Sequence, residues 1–84
     1  MKVMFTTEEV AELLNVWADA PGGYNRDFVR GEVLDRRLIA RVHHRGEGRK
    51  RSRIRIHQAD LVAYVVAHHP MLVARARMHW NVAA

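Results

Sequence analysis

Arginine dominates the basic residues of this chain, providing twelve of the fourteen Lys and Arg side chains. Residues 26–55 contain eleven of these fourteen against four acids, whereas the rest of the chain contains three against five. A guanidinium group can bind a phosphate or a guanine edge through two parallel hydrogen bonds. A GC-rich genome would raise the arginine content but would not cluster it. The basic block therefore predicts a surface that binds a polyanion.

Within this block, basic and apolar residues alternate on both sides of Gly46 and Gly48. The apolar or small residues are Leu38, Ala40, Val42, Ile54 and Ile56. The basic residues between them are Arg37, Arg41, His43, Arg51, Arg53, Arg55 and His57. Because successive side chains of a strand point to opposite faces, this pattern predicts a β-hairpin with one apolar and one cationic face. An isolated hairpin is unstable, so helices must cover the apolar face.

Other chemistries have little support in the residue types. The absence of cysteine excludes disulfides, thiolate catalysis and cysteine-based zinc sites. The six histidines lack the His-x3-His and His-Glu-x-x-His spacings of metal sites. Ser52 lies in a cationic strand with no Asp–His partner suggested nearby in sequence. Asp19, Asp27 and Asp35, which could in principle bind Mg²⁺, belong to separate elements. We expect no catalytic residue, no metal site, no cofactor and no enzymatic activity.

The first supporting helix is predicted over about 7–15. Thr6 and Glu9 have the spacing of a capping box, with Thr6 as the N-cap. The apolar stripe that follows at i, i+3, i+4 and i+7 is Val10, Leu13, Leu14 and Trp17. Residues 18–23, ADAPGG, then predict a loop.

A second helix is predicted over about 24–30. Tyr24 and Phe28, four residues apart, are expected to face the core, and Gly31 is expected to end the helix. The alternative is a longer helix that passes through Gly31 to Arg37.

Two further helices are predicted after the hairpin. The third covers about 58–68, with Leu61, Tyr64 and Val65 buried and Val62 and Val66 widening the apolar face. Pro70 ends it and suits the first turn of a last helix over about 71–81. The apolar side of that helix contains Leu72, Val73, Ala76 and Trp80. Trp80 packs either within the domain or against another copy of the chain.

The predicted class is mostly α with a small β-hairpin, in the order helix, helix, hairpin, helix, helix. This is a winged helix-turn-helix arrangement. We expect a single DNA-binding domain over residues 1–84, with 71–84 as a C-terminal helical extension.

Three segments carry a resemblance to a known family. They are 5–16 (FTTEEVAELLNV), 28–42 (FVRGEVLDRRLIARV) and 51–65 (RSRIRIHQADLVAYV). Together they resemble the phage excisionases, or recombination directionality factors, which have MerR-like winged helix-turn-helix domains. The chain departs from the family at 17–27 (WADAPGGYNRD), where the family has a short turn and a Thr-Val-x-Arg/Trp helix. The turn is therefore expected to be longer and the second helix shorter.

The resemblance implies a DNA-binding site made of two elements. The recognition helix would present Asn25, Arg26, Asp27 and Arg30 to a major groove. The wing would present Arg45, Arg49, Lys50, Arg51 and Arg53 to the backbone or a minor groove, where arginine is favoured.

Ordinary structural roles are the alternatives for the same residues. The wing arginines could form a solvated charge run, and Arg26 and Arg30 could be surface residues. Asn25 either reads adenine or caps the second helix, and capping is favoured if that helix begins at Arg26. Arg53 and Arg55 could instead pair with Asp35 or Glu32.

By resemblance, the protein binds and bends double-stranded DNA and directs an integrase towards excision. Its implied partners are DNA, a phage integrase and further copies of itself on DNA. The alternatives are a small transcriptional regulator of the same fold and a basic protein-interaction module. No segment has the pattern of a secretory signal or a membrane span, so we expect a cytoplasmic protein acting on DNA in a host cell.

Overall fold

A computed structural model of the chain describes residues 3–44 and 53–80. Its helices are α1 (Thr7–Ala18), α2 (Arg26–Leu34), α3 (Gln58–His68) and α4 (Val73–His79), with a 3-10 turn at Pro70–Leu72. Its strands are β1 (Met4–Phe5), β2 (Val42–His44) and β3 (Arg53–His57). The protein is thus mostly helical with a small antiparallel hairpin, which confirms this part of the predicted fold class.

The three strands form an antiparallel sheet in the order β1-β3-β2. In β3, Ile54 and Ile56 are buried and Arg53 is exposed, so the predicted alternation is confirmed on this strand. The sequence did not predict β1, because two residues are too few to show a period. Phe5 of β1 pairs with Ile56 and adds its buried ring to the apolar face of the hairpin.

The first hairpin strand is shorter than predicted, since β2 begins only at Val42. The preceding residues are held to the end of α2 instead. Arg36 adopts a left-handed backbone with φ of 62°, and the N–H groups of Arg37 and Leu38 donate to the carbonyl of Glu32 at 3.0 and 3.2 Å. Leu38 is buried, as expected, but from a loop position. The predicted turn at Gly46 and Gly48 lies outside the described residues.

The start of α1 has the predicted capping box. The hydroxyl of Thr6 accepts from the Glu9 N–H at 3.1 Å, and the Glu9 carboxylate accepts from the Thr6 N–H at 3.0 Å. The helix continues beyond the predicted residue 15 to Ala18, which buries Trp17 in the core. It ends at Asp19, whose φ is 51°.

The second helix passes through Gly31, so the prediction that Gly31 ends it was wrong. Although glycine inside a helix costs about 0.5–1 kcal/mol, continuation to Leu34 buries Val33 and Glu32. Asn25 is the N-cap of α2, because its side-chain oxygen accepts from the Phe28 N–H at 2.8 Å.

Phe28 does not face the core as predicted, since it is 36% exposed. Its ring packs on Tyr24 with centroids 5.0 Å apart, and Tyr24 is the one of the pair that reaches the core. Helix α2 starts at Arg26, and the face that it turns towards the core contains Val29 and Val33. Phe28 lies to one side of that face and is therefore partly exposed.

The third helix has the predicted bounds, with Leu61, Tyr64 and Val65 buried. Val66 does not widen the apolar face as expected, because it is 48% exposed. The side chain of His57 caps the helix by accepting from the Ala59 N–H at 3.0 Å.

Helix α4 and Trp80, which follows it, contact the end of α1 and complete the core. The ring of Trp80 lies 5.2 Å from Trp17 and 5.7 Å from Phe5, which favours packing within the domain over packing against another copy. Arg75 donates to the carbonyl of Trp17 at 2.7 Å, satisfying an acceptor at the end of α1. In the described part of the chain, no helix is long and apolar enough to cross a membrane.

Replacing Asp19 with Asn should stabilise the fold. The last turn of α1 contains no basic residue of its own, and a carboxylate at a helix C-terminus opposes the helix dipole. Asn tolerates the left-handed backbone equally well. We expect Asp19→Asn to raise the free energy of unfolding by about 0.3–1 kcal/mol at low salt, measured by urea unfolding.

The matched control is Asp27→Asn in the first turn of α2, where the negative charge is favourable. It should lower the free energy of unfolding by a similar amount. Both effects should shrink at high salt. A destabilised Asp19→Asn variant would contradict the dipole explanation.

Candidate nucleic-acid interface

A cleft of about 540 Å³ lies between the beginning of α1, the first half of α2 and strand β3. Its charged lining comprises Arg26, Asp27 and Arg30 of α2, Arg55 of β3 and Glu8 of α1. Three guanidinium groups and two carboxylates therefore line one concavity. Arg53 is two residues from Arg55 and so points to the same face of the strand.

The structure brings three of the four predicted recognition-helix residues into this cleft. Arg26, Asp27 and Arg30 are all exposed. The fourth, Asn25, is exposed but its side-chain oxygen is occupied by the cap of α2. Arg26 lies 3.3 Å from Glu8, with both side chains about two-thirds exposed (64% and 66%). An ion pair this exposed contributes little to stability, so Arg26 remains available to a stronger anion.

The predicted wing is described only in part. Arg53 is an exposed residue of β3, whereas Arg45, Arg49, Lys50 and Arg51 lie outside the described residues. Sequence reasoning left Arg55 out of the site, although its position two residues from Arg53 placed it on the same cationic face.

The predicted alternative pairing of Arg53 and Arg55 with Asp35 or Glu32 was wrong. Arg37 takes both acids, at 2.8 Å from Glu32 and 2.9 Å from Asp35. It does so because it lies only three residues after the end of α2. The Arg55 guanidinium instead donates to the neighbouring carbonyl of Ile54 at 2.8 Å.

The buried carboxylate of Glu32 attaches the inner face of α2, opposite the cleft, to the rest of the protein. Arg37 donates to both of its oxygens at 2.8 and 2.9 Å, and the Tyr64 hydroxyl donates to one of them at 3.0 Å. The His69 Nε2 lies 2.8 Å from the same hydroxyl. Since the hydroxyl hydrogen goes to Glu32, the His69 nitrogen must donate to the hydroxyl oxygen. A continuous series of hydrogen bonds thus connects α3 to α2 and to the segment after α2. It runs from His69 through Tyr64 and Glu32 to Arg37.

These contacts shift the ionisation of the groups involved. The hydrogen bonds from Arg37 lower the pKa of Glu32, although burial acts in the opposite direction. Burial, followed by the hydrogen bond to Glu32, raises the pKa of Tyr64. Burial lowers the pKa of His69. Tyr64 is therefore a neutral donor and Glu32 an ionised acceptor at neutral pH.

Over residues 3–44 and 53–80, no group of three or more His, Asp or Glu side chains is placed to hold an ion. His57 caps α3 and His69 contacts Tyr64.

Comparison with known proteins adds no relative. No protein-family model matches the chain, and neither a curated protein nor a solved structure matches it significantly. Function must therefore be inferred from the residues of the chain and their geometry.

Replacing Glu32 with Gln should destabilise the protein and change its response to acid. The amide keeps the shape but loses the negative charge and one of the two acceptor oxygens that Arg37 bonds, so the free energy of unfolding should fall by about 1.5–3 kcal/mol. The folded pKa of Glu32 lies below its ordinary value of 4.5. Its contribution is therefore complete above pH 4.5 and is lost as the pH falls through the folded pKa.

The measurement is urea unfolding of both proteins between pH 7 and pH 3. The loss of stability in acid should be smaller for Glu32→Gln than for the unchanged protein. Asp35→Asn is the matched control, because Asp35 shares the partner Arg37 but its side chain is 60% exposed. It should cost at most about 1 kcal/mol. Equal effects of the two substitutions would contradict the central role of Glu32.

Proposed function

We propose that this protein is a winged helix-turn-helix DNA-binding protein that acts as a phage excisionase. The observation that carries the proposal is the cleft lined by Arg26 and Arg30 of α2 together with Arg55 of β3. Two elements far apart in sequence contribute cations to one concave surface, and β3 directly follows the basic segment 45–52. Such a cationic surface is the electrostatic signature of phosphate binding.

Helix α2 is the recognition helix in this proposal. Its buried face, Val29 and Val33 together with Glu32, is fixed to the core, whereas Asp27 and Arg30 are exposed. A helix of nine residues is about 13.5 Å long, and the major groove is wide enough to admit a helix. The hairpin of β2 and β3 is the wing in the same proposal, and its Arg53 and Arg55 contact the adjacent phosphate backbone.

The loop between α1 and α2 is long for a helix-turn-helix but is held in place. The side chain of Asn15 donates to the carbonyl of Tyr24 at 2.9 Å and accepts from its N–H at 2.7 Å. This pair of hydrogen bonds fixes the start of α2 against α1. A recognition helix needs such a fixed angle to place its side chains on base edges.

Bending and assembly follow from the energetics of the proposed role. Bending a site costs about 1–6 kcal/mol, which must be offset by contacts that the bend permits. The proposal therefore includes an integrase, or further copies of the chain, as the source of those contacts. It assigns no catalytic step and no cofactor to the chain.

The salt dependence of binding tests the electrostatic part. If five phosphates are neutralised per protomer, the slope of log affinity against log salt on random duplex DNA should be about −4.5. Arg53→Gln with Arg55→Gln should reduce its magnitude by about 1.8, since two phosphate contacts are lost.

The matched control removes two arginines outside the cleft, Arg36→Asn and Arg77→Gln. Asn is chosen at Arg36 because its φ is 62°. The control should leave the slope close to that of the unchanged protein. A slope near zero for the unchanged protein would refute DNA binding and favour a basic module that docks an acidic protein.

Footprinting separates excision from transcriptional regulation. DNA containing an attachment site and the flanking promoters is incubated with the protein and cleaved lightly. We expect protection of repeated sites beside the attachment site, because several copies must lie side by side to stabilise a bend. Protection of a single promoter site would overturn the excisionase role and leave a regulator of the same fold.

A further inference from the structure

The exposed polar residues of α2 differ in how far they are already engaged. The side-chain oxygen of Asn25 caps the helix, and Arg26 lies 3.3 Å from Glu8. Within the described part of the chain, the side chains of Asp27 and Arg30 make no hydrogen bond or ion pair, although both line the cleft. Asp27 and Arg30 are therefore the α2 side chains most available to a ligand.

A carboxylate on this surface has an energetic consequence. Asp27 is repelled by phosphates, so it lowers affinity for duplex DNA of every sequence. An ionised carboxylate only accepts hydrogen bonds. In the major groove, cytosine presents the donor N4 amino group alone, whereas adenine presents its donor beside the N7 acceptor, which repels a carboxylate. The repulsion between Asp27 and the phosphates is thus best offset by a hydrogen bond from the N4 amino group of a cytosine opposite Asp27.

We propose that Asp27 is a specificity-determining residue that accepts a hydrogen bond from cytosine N4 in the major groove. This assignment rests on the proposed function. Asp27 and Arg30 are three residues apart and lie on one face of α2, separated by about 4.5 Å along its axis. Base pairs are separated by about 3.4 Å, so where α2 lies along the groove, Arg30 reaches the base pair next to the one contacted by Asp27. Discrimination against other sequences comes from the unpaired charge as well as from the bond.

The experiment begins by enriching binding sites from a random duplex library with the full chain. Dissociation constants are then measured for the enriched duplex and for duplexes changed at each base pair. We expect the unchanged protein to prefer cytosine at one position by about tenfold. Asp27→Ala should lose that preference at that position alone. It should bind random duplex at least as tightly, because a charge that repels phosphate is gone.

A second substitution gives a result that a purely structural role would not produce. Asn pairs with the N6 and N7 edge of adenine, so Asp27→Asn should shift the preference at the same position from cytosine towards adenine. Asp19→Asn is the matched control, since it removes the same charge outside the cleft. It should keep the cytosine preference. Thermal unfolding of each variant verifies that it is folded.

Two outcomes overturn the assignment. If cytosine preference survives in both Asp27→Ala and Asp27→Asn, Asp27 does not read a base and only stabilises the first turn of α2. If the unchanged protein binds no duplex at modest salt, the proposed function fails and this assignment fails with it.

Discussion

Glu32 is an acidic residue that is only 8% exposed and lies where α2, the segment after it and α3 meet. Leaving such a charge buried and unpaired would cost several kcal/mol. Arg37 and Tyr64 satisfy it from two directions, and this requirement, together with the burial of Val29 and Val33, fixes the rotation of α2 about its own axis. Once Glu32 faces inward, Asp27 and Arg30 must face outward, because they lie on the opposite side of the same helix. The orientation of the cleft residues on α2 is therefore determined by the contacts of Glu32 on the opposite side of the helix.

Much of the fold was predictable because its signals are local. The capping box of Thr6 and Glu9 and the alternation in β3 each depend on residues only a few positions apart, and both were predicted correctly. Gly31 shows where local reasoning fails. Its sequence signature is that of a helix end, but burial of Val33 and the hydrogen bonds of Glu32 favour continuation. Those contacts involve residues up to 32 positions away, which no local pattern can indicate.

The candidate site was predictable to the extent that its residue types were. The sequence predicted that the arginines form a binding surface, but it could not distinguish those that pair within the fold from those that remain exposed to a ligand. Arg41 pairs with Asp60 at 3.0 Å and ties the start of the hairpin to α3, Arg75 binds the end of α1, and Arg37 holds Glu32. Others, such as Arg30 and Arg53, have no such partner among the residues that the structure describes. An arginine-rich composition thus divides into cations that build the fold and cations left for a ligand.

The pairing of β1 with β3 also determines when the domain can fold during synthesis. Phe5 leaves the ribosome about fifty residues before Ile56, the residue opposite it in the sheet. Contacts between such distant residues require closure of a long loop and form slowly. Helix α1 can form as it emerges, but its apolar stripe has no sheet to cover it until β3 is made. Until β3 has been synthesised, the nascent chain therefore exposes Trp17 and its neighbours, and the core assembles only afterwards.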